Sequence, residues 1–153
     1  MTEAKILIVD GRFYEKISDE LCKGAIIELN KAGMKYEHLV VPGAFEIPQA
    51  IGLAIHSMKI GSLKEVYAGF IALGCVIRGE TSHYEYVCNE SSRALMNLAL
   101  QNKVPLGYGI LTVDNIDQAW ERTDINNKNK GGSAAKACLR MMEIKKNFRL
   151  ISK

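Results

Sequence analysis

Lys5-Ile6-Leu7-Ile8-Val9-Asp10 forms a short, almost unbroken apolar run. Such a run suits a strand covered on both faces, as in a parallel sheet. Gly11-Arg12-Phe13-Tyr14 interrupts it, and then Ile17, Leu21, Ala25, Ile26, Leu29 and Ala32 recur at helical spacing. Gly33 follows, where a helix end favours the left-handed backbone region. The unit then repeats. Glu37 to Val41 reads as a strand stopped by Pro42-Gly43, and Ile47 to Met58 as a helix that admits Pro48 in its first turn. Tyr67 to Val76 predicts a third strand and Tyr84 to Asn102 the longest helix. Leu106 to Val113 predicts a fourth strand, followed by a short helix from Asn115 to Arg122 and a last one from Gly132 to Phe148.

Strands that alternate with helices imply parallel pairing through right-handed crossovers. The expected fold is therefore a three-layer α/β/α sandwich with a four-stranded parallel, flavodoxin-like sheet. No linker or low-complexity stretch divides the chain, so residues 1–153 are expected to form a single domain.

Composition narrows the function more than the fold. Hydrophobic residues make up 48% and charged residues 24%, an ordinary globular balance that excludes disordered and fibrous classes. The net charge of +3 is spread along the chain, and a nucleic-acid partner would need a denser basic stripe with aromatic platforms. The four cysteines form no C-x-x-C pair and lie in apolar segments, which suggests buried, reduced thiols in a cytoplasmic protein. No signal peptide is expected from the start of the chain, and no apolar run is long enough to span a membrane.

In open parallel sheets ligands bind beyond the carboxyl ends of the strands. That rule selects Gly11-Arg12-Phe13-Tyr14, Pro42 to Glu46, Cys75 to His83, and Val113-Asp114. Phe13 and Phe45, at corresponding strand ends, suit a stacking surface for a flat ligand, although either alone could be core edge. Glu46 opens a helix, where the dipole favours a carboxylate, and it could also hold ligand hydroxyls. Gly79 frees the backbone of Arg78-Gly79-Glu80-Thr81-Ser82-His83 to expose its amides. Ser82 and Glu85 have the spacing of a capping box, and the helix start behind them is an anion site. Arg78 either serves that anion or points to a structural carboxylate. His83, in the first helical turn, can exchange a proton near neutral pH. Cys75, His83 and Cys88 fit no standard zinc spacing.

Two segments carry a resemblance. Val41-Pro42-Gly43-Ala44-Phe45-Glu46-Ile47-Pro48 and Leu73-Gly74-Cys75-Val76-Ile77-Arg78-Gly79-Glu80-Thr81-Ser82-His83-Tyr84-Glu85-Tyr86-Val87 resemble signatures of the lumazine synthases. Gly109 to Thr112, Gln118-Ala119 with Arg122, and Asn129-Lys130-Gly131 with Ala134-Ala135 match as well, so the likeness runs from about Lys5 to Phe148. It implies condensation of 5-amino-6-(D-ribitylamino)uracil with 3,4-dihydroxy-2-butanone 4-phosphate, the penultimate step of riboflavin synthesis, without metal or organic cofactor.

By that resemblance, Phe13 stacks on the pyrimidine, Ala44, Phe45 and Glu46 line its site, and Glu46 holds ribityl hydroxyls. Backbone groups of Cys75, Val76 and Ile77 read the ring edge. Glu80 and Thr81 offer amides to the phosphate, and His83 moves protons. Tyr108 covers the ring and Arg122 pairs with the phosphate, both from a neighbouring subunit. Lys130 matches another position near the site. The implied partners are two small-molecule substrates and copies of the same chain, in a pentamer or its multiples. Three departures stand out: Tyr14 follows the stacking Phe where Asn is common, Tyr108 replaces a Phe, and Thr123 to Lys128 lacks the glycines of capsid-forming members. Rival readings are a non-catalytic flavin or lumazine carrier, an electron carrier and a shell protein. The first needs neither Arg122 nor the His83 loop, and the second wants a Ser/Thr-rich phosphate loop after the first strand.

Overall fold

A computed structural model describes residues 3–150. The alternating pattern becomes four strands and five α-helices among these residues. They run β1 (Lys5–Gly11), α1 (Glu15–Lys31), β2 (Tyr36–Val41), α2 (Ile47–Ile60), β3 (Tyr67–Ile77), α3 (His83–Asn102), β4 (Leu106–Val113), α4 (Ile116–Thr123) and α5 (Lys130–Asn147). A short 3₁₀ turn, Ala44–Glu46, leads into α2. All strands pair in parallel, in the order β2-β1-β3-β4. This is the expected flavodoxin-like sheet.

Period-two alternation explains the three layers. Ile6, Ile8, Ile71 and Leu73 point to one face and pack with Leu21 of α1, Ala119 of α4 and Cys138 of α5. Leu7, Val9, Phe70, Ala72 and Ile110 point to the other and pack with Ile51 of α2 and Leu95 of α3. Because both faces are covered, the central strands must be apolar throughout. Each large side chain buried this way contributes about 1.5–3 kcal/mol.

The helix ends follow local rules, with one exception. Gly33 and Gly61 adopt left-handed backbone after α1 and α2. Asn115 and Asn129 cap α4 and α5 through their side chains, which accept from the Gln118 and Gly132 amides. The expected capping box at α3 does not form. Ser82 already has helical angles and its side chain makes no cap bond, whereas a capping side chain works from non-helical backbone. The Glu85 carboxylate is drawn away by Arg78. The α3 helix therefore starts at His83, and Thr81 Oγ1 instead accepts from the His83 amide at 3.3 Å. The last helix begins two residues earlier than its pattern predicts, so that Lys130 is its first residue.

Candidate active site

The carboxyl ends of β1 and β3 converge with the turn before α2 and the start of α3. Between them lies a cavity of about 370 Å³. Phe13 and Tyr14 supply one wall, and Ala44, Phe45 and Glu46 another. Cys75, Val76 and Ile77 form the floor, and His83 and Val87 close the α3 side. Backbone proximity fixes this arrangement. A Cβ on Gly11 would sit 2.7 Å from the Gly43 carbonyl carbon and 2.9 Å from the Ala44 nitrogen, so only glycine lets the Ala44–Glu46 turn lie so near β1.

The cavity offers apolar, flat-ligand chemistry with few polar groups. Phe13 is 69% exposed and Phe45 58%, unusual for large aromatics in a single folded chain. Tyr14 meets the Phe13 ring edge to face, with centroids 4.9 Å apart, which holds Phe13 in place. Burial raises the Tyr14 phenol above its usual range, and the neighbouring Cys75 adds to this. Burial pushes the Cys75 thiol up to about 12, so at neutral pH it is a small apolar floor and not a nucleophile.

Arg78 does not face the cavity. Its guanidinium pairs with Glu85 and, at 3.0 Å, with Asp114, and it lies 4.2 Å above the Tyr84 ring. The hydrogen bond from Arg78 holds the Glu85 carboxyl below its ordinary range. Arg78 thus ties the β3–α3 loop to the end of β4 and leaves Glu80 and Thr81 exposed at the α3 start. Among the described residues, the amides of Gly79, Glu80 and Thr81 have no hydrogen-bond partner. Unpaired amides at a helix start suit an anion.

Tyr108, Arg122 and Lys130 do not line this cavity. Tyr108, 43% exposed, neighbours Tyr84 and Cys88 on another flank of α3. It borders a larger apolar groove of about 720 Å³, with Met96 and Leu100 of α3 and Met141 and Phe148 at the end of the chain. That groove holds no cluster of reactive groups, so its size does not make it the site of chemistry. Arg122 rests on the Gln118 carbonyl at 3.1 Å, and the adjacent Thr123 is anchored through its hydroxyl to the Ile17 carbonyl.

One group is invisible in the sequence. Asp10 is fully buried, and its Oδ2 meets Arg12 Nε at 2.9 Å, His38 Nε2 at 2.9 Å and Cys22 Sγ at 3.4 Å. Asp10 reads as the polar end of a strand and Cys22 as a core residue of a helix. Only the register of β1 on β2, which sets Asp10 opposite Val40, brings His38 beside them. Arg12 also reaches Asp19 of α1 at 2.6 Å, which braces the turn that carries Phe13.

Comparison of the sequence with known proteins identifies its family. The family model described as 6,7-dimethyl-8-ribityllumazine synthase matches residues 3–146. A protein of that name from Bartonella tribocorum is 54% identical over 143 residues, covering 94% of this chain and 91% of its own. Those from Agrobacterium fabrum and Paramagnetospirillum magneticum are 50% and 47% identical, each covering 97% of this chain and 99% of their own. With its aromatic-walled cavity at the strand ends and this similarity along nearly its whole length, the chain belongs to the 6,7-dimethyl-8-ribityllumazine synthase family.

Proposed function

We propose that the chain condenses 5-amino-6-(D-ribitylamino)uracil with 3,4-dihydroxy-2-butanone 4-phosphate, at a site completed by a neighbouring copy of itself. The observation that carries this is the cavity between Phe13 and Phe45, with Cys75 to Ile77 as its floor and His83 at its edge. The pyrimidine stacks on Phe13, and Ala44 and Phe45 flank it. Glu46 accepts hydrogen bonds from ribityl hydroxyls. The Glu80 and Thr81 amides, with Arg122 of the next subunit, receive the phosphate. Tyr108 of that subunit covers the ring, and Lys130 lies near the site.

The chemistry is a series of proton movements between two held reactants. The uracil amine attacks the ketone and gives a carbinolamine, which loses water to form an imine. Phosphate is eliminated and the resulting enol becomes a ketone. The ribityl-bearing nitrogen closes the ring and water leaves. Holding both reactants in place supplies several kcal/mol of the barrier, by the usual scale of about 7–11 kcal/mol for well-oriented pairs. His83 exchanges the protons, and no step calls on a metal or organic cofactor.

The exposed apolar surface supports a ring. Leu39 and Val40 are exposed on the edge strand β2 and Leu53 and Ile60 on α2, while Met96, Leu100, Tyr108 and Phe148 are exposed around the other edge strand, β4. Two different apolar patches at opposite sheet edges fit head-to-tail contacts, which close into a cyclic assembly. A pentamer built from residues 1–153 as one domain accommodates this. A cytoplasmic location fits four free cysteines, three of them buried. Among the described residues no helix is long and apolar enough to cross a membrane. Incubation with both substrates, followed by lumazine absorbance, tests the activity. Binding of the pyrimidine without turnover would favour a carrier instead.

A further inference from the structure

On the α1 side of the sheet, outside the cavity, three metal-binding atoms converge. Asp10 Oδ2 lies 2.9 Å from His38 Nε2 and 3.4 Å from Cys22 Sγ, and Cys22 Sγ lies 3.6 Å from His38 Nε2. A tetrahedral zinc ion with bonds of about 2.0–2.3 Å needs its ligand atoms roughly 3.3–3.8 Å apart. The triangle has nearly that size already. Only its oxygen–nitrogen edge must open, by a few tenths of an ångström. We propose that Asp10, Cys22 and His38 form a binding site for a thiophilic divalent cation of the zinc class, one per chain.

The donor set selects that class. Thiolate and imidazole suit zinc and its neighbours, whereas magnesium and calcium prefer oxygen. Among the described residues this is the only such cluster of His, Cys, Asp and Glu ligand atoms. The three residues stand on β1, α1 and β2, so packed elements hold the ligands. Asp10 has spare capacity, since its buried Oδ1 has no partner among the described residues. Arg12 is the competitor for Oδ2, and two features let it yield. It keeps Asp19 at 2.6 Å, and the free Oδ1 can accept its remaining N–H groups. The His38 side chain, 33% exposed on the edge strand, gives a path from solvent and leaves the fourth position to water.

Binding balances simply. The cation displaces the Cys22 thiol proton, which passes to solvent, and takes lone pairs from the thiolate, the carboxylate and the neutral imidazole. No electrons are transferred.

Cobalt(II) is the probe, titrated into untagged protein at pH 8. The expected result is a thiolate-to-cobalt absorption band in the near ultraviolet, saturating at one ion per chain and erased by excess zinc. Cys22→Ser abolishes the band, and Cys88→Ser keeps it. His38→Ala lies on an exposed edge and should fold, and it weakens cobalt binding about ten-fold or more. If Cys22→Ser fails to fold, His38→Ala alone decides. No band at millimolar cobalt, a band that survives Cys22→Ser, or unchanged affinity in His38→Ala overturns the site.

Discussion

His83 is the first residue of α3 and borders the cavity, with its amide engaged by Thr81 and its ring free to meet a reactant. In the proposed mechanism it carries protons and so contributes to turnover and little to binding. His83→Ala is expected to lower kcat by about 10²-fold or more while the pyrimidine Kd stays nearly unchanged. Unchanged turnover at saturating substrates removes His83 from the mechanism. The thiols behave differently. Cys22, Cys75 and Cys138 are buried and pushed up to about 12, from an ordinary value of 9.0. An unfolded thiol therefore ionises while its folded counterpart stays neutral. The stability this provides is fully present below pH 9 and is lost as pH rises toward 12. Each thiol steepens the fall by up to about 1.4 kcal/mol per pH unit in that window. Cys138→Ala should flatten the slope, as measured by denaturant titration from pH 8 to 11, and an unaltered slope would contradict this account. Such residue environments were partly legible. Three of the four cysteines are buried as their apolar spacing implies, while Cys88 is only partly so, and the convergence of Asp10, Cys22 and His38 depends on strand register, which no local pattern encodes.

Elements were the most legible level, because each is specified by its own periodicity. Leu106–Val113 has the bounds its apolar run predicts, and each of the other strands is one residue longer at a single end. Helix starts were less legible, since they turn on competition between side chains. The Ser82 and Glu85 spacing promised a capping box, yet Arg78 offers Glu85 a charged partner that a backbone amide does not match. Close contacts between elements were also hidden in ordinary glycines. A Cβ on Gly107 of β4 would meet the Ala134 carbonyl oxygen at 2.0 Å, and one on Gly131 the Leu21 carbonyl oxygen at 2.0 Å. The α5 helix thus packs directly on β4 and α1. Gly107→Ala must push α5 outward, with an expected cost of about 1–3 kcal/mol from overpacking. A thermal midpoint equal to that of the unchanged chain would refute the close packing. Gly11→Ala applies the same logic at the cavity. It displaces the Ala44–Glu46 turn and should raise the pyrimidine KM more than it lowers kcat. The opposite split would mean that the turn positions reacting atoms and not the ring.

The whole molecule raises a question that no single chain answers. Tyr108 and Arg122 lie outside the cavity that holds His83, although the family resemblance assigns all three to one reaction. The sequence brought these residues together only through that resemblance, because neither periodicity nor spacing describes contacts between copies. The exposed apolar patches at opposite sheet edges make sharing between neighbours physically natural. Mixing two impaired variants distinguishes sharing from a site within one chain. In His83→Ala every chain keeps Arg122, and in Arg122→Ala every chain keeps His83. If both residues serve a site within one chain, a mixed assembly contains no intact site and stays impaired. If Arg122 comes from the neighbour, an Arg122→Ala chain beside a His83→Ala chain in the right order has one complete site. With equal, random mixing in a closed ring, roughly a quarter of the sites are intact. Co-expression or joint refolding should therefore restore about a quarter of the unchanged activity, well above the roughly 10²-fold lower turnover of His83→Ala alone. Failure to restore activity, in mixed assemblies confirmed by native mass spectrometry, would place Arg122 and His83 in a site within one chain and end the shared-site reading.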